Sequence, residues 1–404
     1  MVLAGGSIES GDEAEAGFAS GKSGVSAAQA HVVVVGFSIA VAAFLWAFMV
    51  ADRTVVVVAL LALLAAVFWA LERYPQIEAM VVGSFAQARV AAAIIWLVIT
   101  LGFPFLFGQN TYFIHLLVMC LIYSVLAIAL NFQLGSANIP NFATGATYGI
   151  GAYCSALLAL NFGWNFWATL PFAALAATLF GFIIGLPSMR TRDAYLALVT
   201  IACGVIIHQL LNNFEWTGGP QGLIGIPAPT LFGYSFASPL KLFGYTLPFQ
   251  VNFYYLSLAL LGLAIVVANR LHHSRIGLAW NALRADEVAA RSVGINVVWF
   301  KVLAFAVDAF LAAFAGVVYA FYISYIAPDN FTFLVSVTLM TMVIVGGMDN
   351  VVGVILGAFL LTLLPEKLRA FSDYRLLFYG LVVIGFLMIR PQGLLPQRLR
   401  NYGS

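Results

Sequence analysis

The sequence predicts an all-α fold, a polytopic integral membrane helical bundle, on three observations. Hydrophobic residues make up 63% of the 404, charged residues only 8%, and the mean hydropathy is +1.01. Apolar runs of about twenty residues recur between residues 32 and 390, more apolar surface than a soluble domain could cover with so few charges. The runs are long enough to cross about 30 Å of hydrocarbon and lack the alternation of barrel strands, so each must satisfy its backbone internally as a helix.

In chain order, residues 1–30 are polar, carry Glu9, Asp12, Glu13 and Glu15 ahead of any apolar run, and lack the basic start of a cleavable signal. A disordered cytoplasmic tail is expected there. Spans are expected at 32–51, 54–71, 90–108, 112–131, 142–160, 165–186, 195–213, 251–269, 301–324, 333–347, 352–365 and 375–390, the last three short for full crossings. The first two form an additional N-terminal hairpin, 31–89, set off by the polar connection "ERYPQIEA". The main helical unit is 90–396, and 397–404 is a short C-terminal tail.

Orientation follows from counting Lys and Arg. The connections 187–194 and 270–300 and the C-terminal end hold Arg190, Arg192, Arg270, Arg275, Arg284, Arg291, Arg390, Arg398 and Arg400. The alternate connections hold only Lys241, Lys367 and Arg369. The first set, and with it both termini, is expected in the cytoplasm, although Arg53 in the first tight turn runs against the rule.

Cys120, Cys154 and Cys203 sit in apolar runs without CxxC spacing and read as small hydrophobes. His272 and His273 are adjacent, so they do not share a helix face, and no metal site is expected. The net charge of +2 argues against a nucleic-acid partner. "GFASGKS", 17–23, has three residues where a phosphate-binding loop needs four before its GK[ST], and follows no strand. Small-xxx-small pairs at Gly145/Gly149, Gly181/Gly185 and Gly353/Gly357 point to close helix packing.

The stretch "NALRADEVAARSVGIN", 281–296, concentrates Arg284, Asp286, Glu287 and Arg291. Each charge at mid-bilayer would cost about 2.5 to 3.5 kcal/mol, so the stretch lies outside the hydrocarbon. Its alanines favour helix and Gly294 offers a stop, which predicts a short amphipathic helix with Leu283, Val288 and Val293 as an apolar stripe. A solvated loop helix and a docking helix both fit that pattern.

Three further places are candidates for a path. "NFQLGSANIPNFATGATYGIGAY", 131–153, interrupts two apolar runs with Gly135, Asn138, Pro140 and Asn141, as discontinuous backbone along a transport path does; a simple turn is the other reading. "TGGPQGLIGIP", 217–227, with Gly218, Gly219 and Pro220, suits a fixed turn on the outer face. Asp308 stands in a strongly apolar run, a functional candidate by default; pairing with Lys301 near the interface and a protonated carboxyl are the other readings.

From Gly135 to Pro396 the chain resembles the integral-membrane LivM-type permease of ABC importers for branched-chain amino acids. The resemblance is carried by "IGAYCSALL" (150–158), "YLALVTIACG" (195–204), "LLNNFEWTGGPQGLIGIP" (210–227), "SRIGLAWNALRADEVAARSVGIN" (274–296), "AFLAAFAGVVYAFYISYIAPDNFTF" (309–333), "VIVGGMDNVVGVILGA" (343–358) and "YRLLFYGLVVIGFLMIRPQGLLP" (374–396). It makes 90–396 a permease core. It implies that 281–296 is a cytoplasmic coupling helix docking on an ATPase, through Arg284, Asp286, Glu287, Ala289, Ala290, Arg291 and Gly294. The family pattern of Glu-Ala-Ala, three residues, then Gly is met at Ala289, Ala290 and Gly294, with Val288 in the Glu position. It places Gly218, Gly219 and Pro220 on the face met by a substrate-binding protein, and departs from the family at Asn138, Ile139, Pro140 and Asn141 and at Val205 and His208.

The resemblance further implies two ATPase subunits that use ATP and Mg, a second, shorter permease, an extracytoplasmic binding protein, and the plasma membrane of a bacterium or archaeon. It implies no cofactor in this chain and no enzymatic activity. Two other functions stay open at this point: a permease for urea or short amides, and an ion-coupled secondary transporter with Asp308 as its proton or cation site.

Overall fold

The computed structural model describes residues 27–51, 53–74, 80, 83–85, 87–108, 110–189, 193–242, 245–368, 374–390 and 392–395. Most of the N-terminal tail, the C-terminal tail 397–404, "GFASGKS", most of "ERYPQIEA", and Arg190, Arg192, Arg369, Arg398 and Arg400 lie outside the described residues.

Twelve apolar helices among the described residues coincide with the twelve runs. They are α1 (Ala27–Val50), α2 (Thr54–Arg73), α3 (Arg89–Phe107), α4 (Thr111–Asn131), α5 (Thr144–Phe162), α6 (Phe166–Gly185), α7 (Asp193–Asn213), α8 (Gln250–His272), α11 (Val297–Ile323), α12 (Phe333–Gly346), α13 (Val351–Lys367) and α14 (Arg375–Ile389). Two short polar helices, α9 (Arg275–Ala285) and α10 (Glu287–Ser292), lie between α8 and α11. Eight segments have the length and composition of a full crossing. α5 is not among them: Thr144, Thr147 and Ser155 are buried in it, so its surroundings are protein rather than lipid.

The chain separates into two compact units, up to Phe103 and from Pro104, a boundary later than the one the polar connection marks in the sequence. In the first, Val34, Ala88 and Ala92 pack with Phe85 and Ile95, and Phe37 meets Phe85 edge-on at 5.7 Å.

The second unit is built around α4, α5 and α11. In α4 78% of the crossing window is buried, against 17% in α7, so α4 is an internal helix and α7 a peripheral one. α6 runs antiparallel to α11: Phe166 meets Phe321 at 5.2 Å, Gly181 lies on Phe305 and Ala309, and Gly185 on Val302. A Cβ at Gly181 would sit 2.7 Å from the Phe305 carbonyl oxygen, so the glycine permits that approach. Gly353 and Gly357 likewise lie on Gly346 of α12, and Gly145 and Gly149 on Ser336 and Phe331.

The two ends of α11 differ. At its C-terminal end six strands of two or three residues organise the long connection: β1 (Leu223–Ile224), β2 (Thr230–Leu231), β3 (Tyr234–Ser235), β4 (Leu240–Leu242), β5 (Tyr245–Leu247) and β6 (Tyr325–Ile326). β2–β3 and β4–β5 are hairpins, while β1 pairs antiparallel with β6 and ties the connection to the chain leaving α11. At the N-terminal end each helix is started by a polar side chain. Ser274 accepts from Ile276 N–H, Asp286 from Val288 and Ala289 N–H at 2.7 and 3.0 Å, and Asn296 from Trp299 N–H.

Asp286 corrects the expectation of one helix over 281–296. Its backbone is extended at φ −161°, ψ 115°, so α9 stops at Ala285 and α10 starts anew under the Asp286 cap. The expected stripe is split by this corner: Leu283 is buried, whereas Val288 and Val293 are 72% and 75% exposed.

Candidate functional site

The interruption between α4 and α5 is the structural centre of the second unit. α4 runs on into a π-helical turn, Phe132–Ser136, and the backbone stays irregular to Ala143 before α5 begins. Single π turns are uncommon and are frequently found at functional sites. Ile139 N–H closes the turn on the Gln133 carbonyl at 2.8 Å. Asn138 takes a left-handed φ of 54° and is exposed, and Pro140 is half-buried.

Asn141 and Asp308 come together there, with two residues that the sequence did not single out. Asp308 Oδ2 accepts from Gln133 Nε2 at 3.2 Å, Asn141 Nδ2 at 3.0 Å and Thr144 Oγ1 at 3.0 Å. Asn141 Oδ1 in turn accepts from Ala143 N–H at 2.8 Å, next to the start of α5. Asp308 is 1% exposed, and its Oδ1, like Gln133 Oε1, is buried without a hydrogen-bond partner. Lys301 does not reach it: its Nζ lies 2.7 Å from Glu287 Oε2. The cluster therefore pins irregular backbone to the middle of α11 by neutral donors alone. A cavity of about 210 Å³, lined by Phe249, Phe253, Phe321 and Tyr322, lies toward the C-terminal end of α11.

A second buried carboxylate, Asp349, sits in the turn between α12 and α13 at φ 70° and 2% exposure. Ser136 Oγ donates to its Oδ1 at 2.6 Å, Arg284 Nη1 stands 3.2 Å from its Oδ2, and its own N–H donates to Asn131 Oδ1 at 2.8 Å. His272 Nε2 is 3.3 Å from Ser136 Oγ and 3.9 Å from Asp349. With the Ser136 proton committed to Asp349, Ser136 accepts from His272, which puts a proton on Nε2. Gly135 belongs to this junction: a side chain there would strike Asn131 Oδ1 and Asp349 N.

The residues of 281–296 divide into an inward and an outward set. Arg284 turns in to Asp349, Glu287 turns in to Lys301 with Arg291 at 3.4 Å, and Ala290 is 3% exposed. Asp286, Val288, Ala289, Arg291, Val293 and Gly294 are exposed, and Gly294 turns the chain at φ 86°. α9 itself is held by Trp280, fully buried, whose Nε1 donates to the Phe300 carbonyl at 2.9 Å.

At the opposite end Gly218 and Gly219 have φ of 80° and 54° and link two 3₁₀ turns, with Pro220 exposed. Thr217 locks this corner through Leu211 and Phe214 carbonyls. Among the described residues no three His, Cys, Asp or Glu side chains are grouped to hold a metal ion. His272 is engaged with Ser136, and His273 is exposed.

A membrane bundle whose most buried helices frame a broken, polar segment is an architecture that transport proteins use. The family described as branched-chain amino acid transport system / permease component matches residues 112–389. The high-affinity branched-chain amino acid transport system permease proteins LivM of Escherichia coli strain K12 and of Salmonella typhimurium are 40% and 39% identical over 313 residues, 74% of this chain and 73% of each relative. A probable branched-chain amino acid transport permease protein LivM of Methanocaldococcus jannaschii is 24% identical over 327 residues, covering 69% of this chain and 91% of the relative. No solved structure matches the chain significantly.

The chain belongs to this branched-chain amino acid transport permease family. It is the permease subunit of an ABC importer, not an enzyme, works with ATPase and permease partners, and is a multi-pass protein of the bacterial inner membrane.

Proposed function

We propose that this permease translocates branched-chain or other hydrophobic amino acids, driven by two separate ATPase subunits that use ATP and Mg. The observation that carries the reading is the joint occurrence, in a chain of this family, of a buried break held on α11 and an exposed docking tip one helix end away. The path runs beside the break 132–143, with Gly135, Asn138, Pro140, Asn141 and Asp308 shaping it. Because the α9–α10 end carries the Arg-rich connection, it faces the cytoplasm with both termini, and the β1–β6 end faces outward.

Docking on the ATPase uses the exposed set of α10 and its exit, Asp286, Val288, Ala289, Arg291, Val293 and Gly294. Arg284, Glu287 and Ala290 act from behind, fixing the tip to the bundle. Gly218, Gly219 and Pro220 contribute to the surface met by an extracytoplasmic binding protein, and a second permease completes the pore.

Purification of the tagged chain with its partners and reconstitution into vesicles tests this reading. Leucine uptake that requires ATP and the binding protein is the expected result. Ionophore-sensitive uptake by the isolated chain without ATP would replace it with ion coupling at Asp308.

A further inference from the structure

The two buried carboxylate clusters share one five-residue element. The π turn Phe132–Ser136 sends Gln133 to Asp308, while Ser136 and the preceding Asn131 hold Asp349. Asp349 is in turn the residue that Arg284 of α9 reaches. Side-chain contacts on either side of the π turn, joined by its backbone, therefore run from α9 through Asp349 and Asp308 to the start of α5.

The middle of this set has the marks of an element with two arrangements. Expelling one residue from a π turn restores α-helical register and rotates the chain beyond it by about 100° with a shift of about 1.5 Å. Such a change would carry Gln133 and Ser136 off their present partners together. Gly135 lets the turn lie against residue 349 where a Cβ would not fit. Asp349 holds a left-handed φ of 70°, a region that Asp enters more readily than most side-chain-bearing residues. Phe132 adds a packing contact, its ring 5.8 Å from Trp280 of α9 and 5.7 Å from His272.

We infer that Asp349 is the positioning residue through which α9 addresses the transport path: displacement of α9 is delivered by the Arg284–Asp349 pair to the π turn, and by Gln133 to the Asp308 cluster. The inference rests on the reading that α9–α10 faces the ATPases, and adds to it the route by which that contact reaches the break. A double-mutant cycle measures the coupling.

The experiment reconstitutes the purified complex in vesicles with its binding protein and radiolabelled leucine, and reads leucine imported per ATP hydrolysed. Asp349→Asn and Arg284→Gln are each expected to lower that ratio by about fivefold or more with the ATPases still bound. The double variant is expected to be no worse than the more impaired single, because both remove one interaction. Ser136→Ala, which deletes a single hydroxyl from the same junction, is expected to shift the ratio the same way by a smaller factor, and decides the matter if the Asp349 variant does not accumulate.

An unchanged ratio in the Ser136 and Arg284 variants, or single effects that multiply in the double, would overturn the inference. Failure of the docking reading looks different. It appears as ATPases that stay bound and coupled after Val288→Asp and Val293→Asp, whatever the Asp349 variants do.

Discussion

Asp308 and Asp349 are equally withdrawn from water, at 1% and 2% exposure, yet are satisfied in different ways. Asp349 lies in a helix connection, where Arg284 reaches it while keeping its own side chain 19% exposed. Asp308 lies far inside α11 and receives three neutral donors on one oxygen. An additional arginine at that depth would add about 2.5 to 3.5 kcal/mol of insertion cost, whereas amide and hydroxyl groups cost far less. The carboxylate inside α11 is met by neutral donors, and the one in the helix connection by a charge.

The largest effect should come from removing the deeper carboxylate. Asp308→Leu leaves Thr144 Oγ1 without its acceptor and weakens Gln133 and Asn141, whose amide nitrogens keep Ala304 O and Thr144 Oγ1 respectively. A stability loss of about 3 kcal/mol and loss of leucine uptake are expected, with Asp308→Asn retaining much of the stability. Thermal unfolding in detergent and vesicle uptake measure both, and a wild-type melting point for the Leu variant would end the contrast between the two carboxylates.

Asp349→Ala should cost less, about 2 kcal/mol. Breaking a fully buried pair costs roughly 3 to 5, and this pair is only partly buried: Nη1 is enclosed, but the Arg284 side chain as a whole is 19% exposed. An equal or larger loss than for Asp308→Leu would show that the pair is worth more than its partial exposure allows.

Gly135→Ala tests the junction by volume rather than charge. The added methyl meets Asn131 and the Asp349 backbone, and overpacking of this kind costs roughly 1 to 3 kcal/mol. Reduced uptake with the ATPases still bound is the expected outcome, read by co-purification and vesicle transport.

Smallest in stability and sharpest in function is the exposed tip. Val288→Asp with Val293→Asp alters side chains that are 72% and 75% exposed, so the melting point should move by no more than about 0.5 kcal/mol equivalent. Loss of ATPase co-purification is expected nonetheless, and retention would move the docking surface elsewhere.

The apolar runs alone were enough to place twelve helices, because length and hydropathy are local properties that lipid enforces on each segment. The break at 131–143 was legible for the same reason: Gly135, Pro140 and the asparagines are local signals against helix. Asp308 announced itself as a carboxylate in an apolar run. Asp286 carried a cap signal that was readable in principle, since an Asp followed by helix formers starts a helix; reading 281–296 as one unbroken element hid it.

Tertiary structure alone decided the partners. Gln133 lies within the polar interruption and Asp349 within the quoted stretch 343–358, and nothing nearby in sequence says that each meets a group more than a hundred residues away. The direction of Arg284 and Glu287, inward rather than outward, was equally hidden, because periodicity orients a side chain on its helix but not against a neighbour that folding brings to it. Sequence sets which segments leave water; packing between them sets which buried polar groups find each other, since an unmet carboxylate is costly only once its surroundings have assembled.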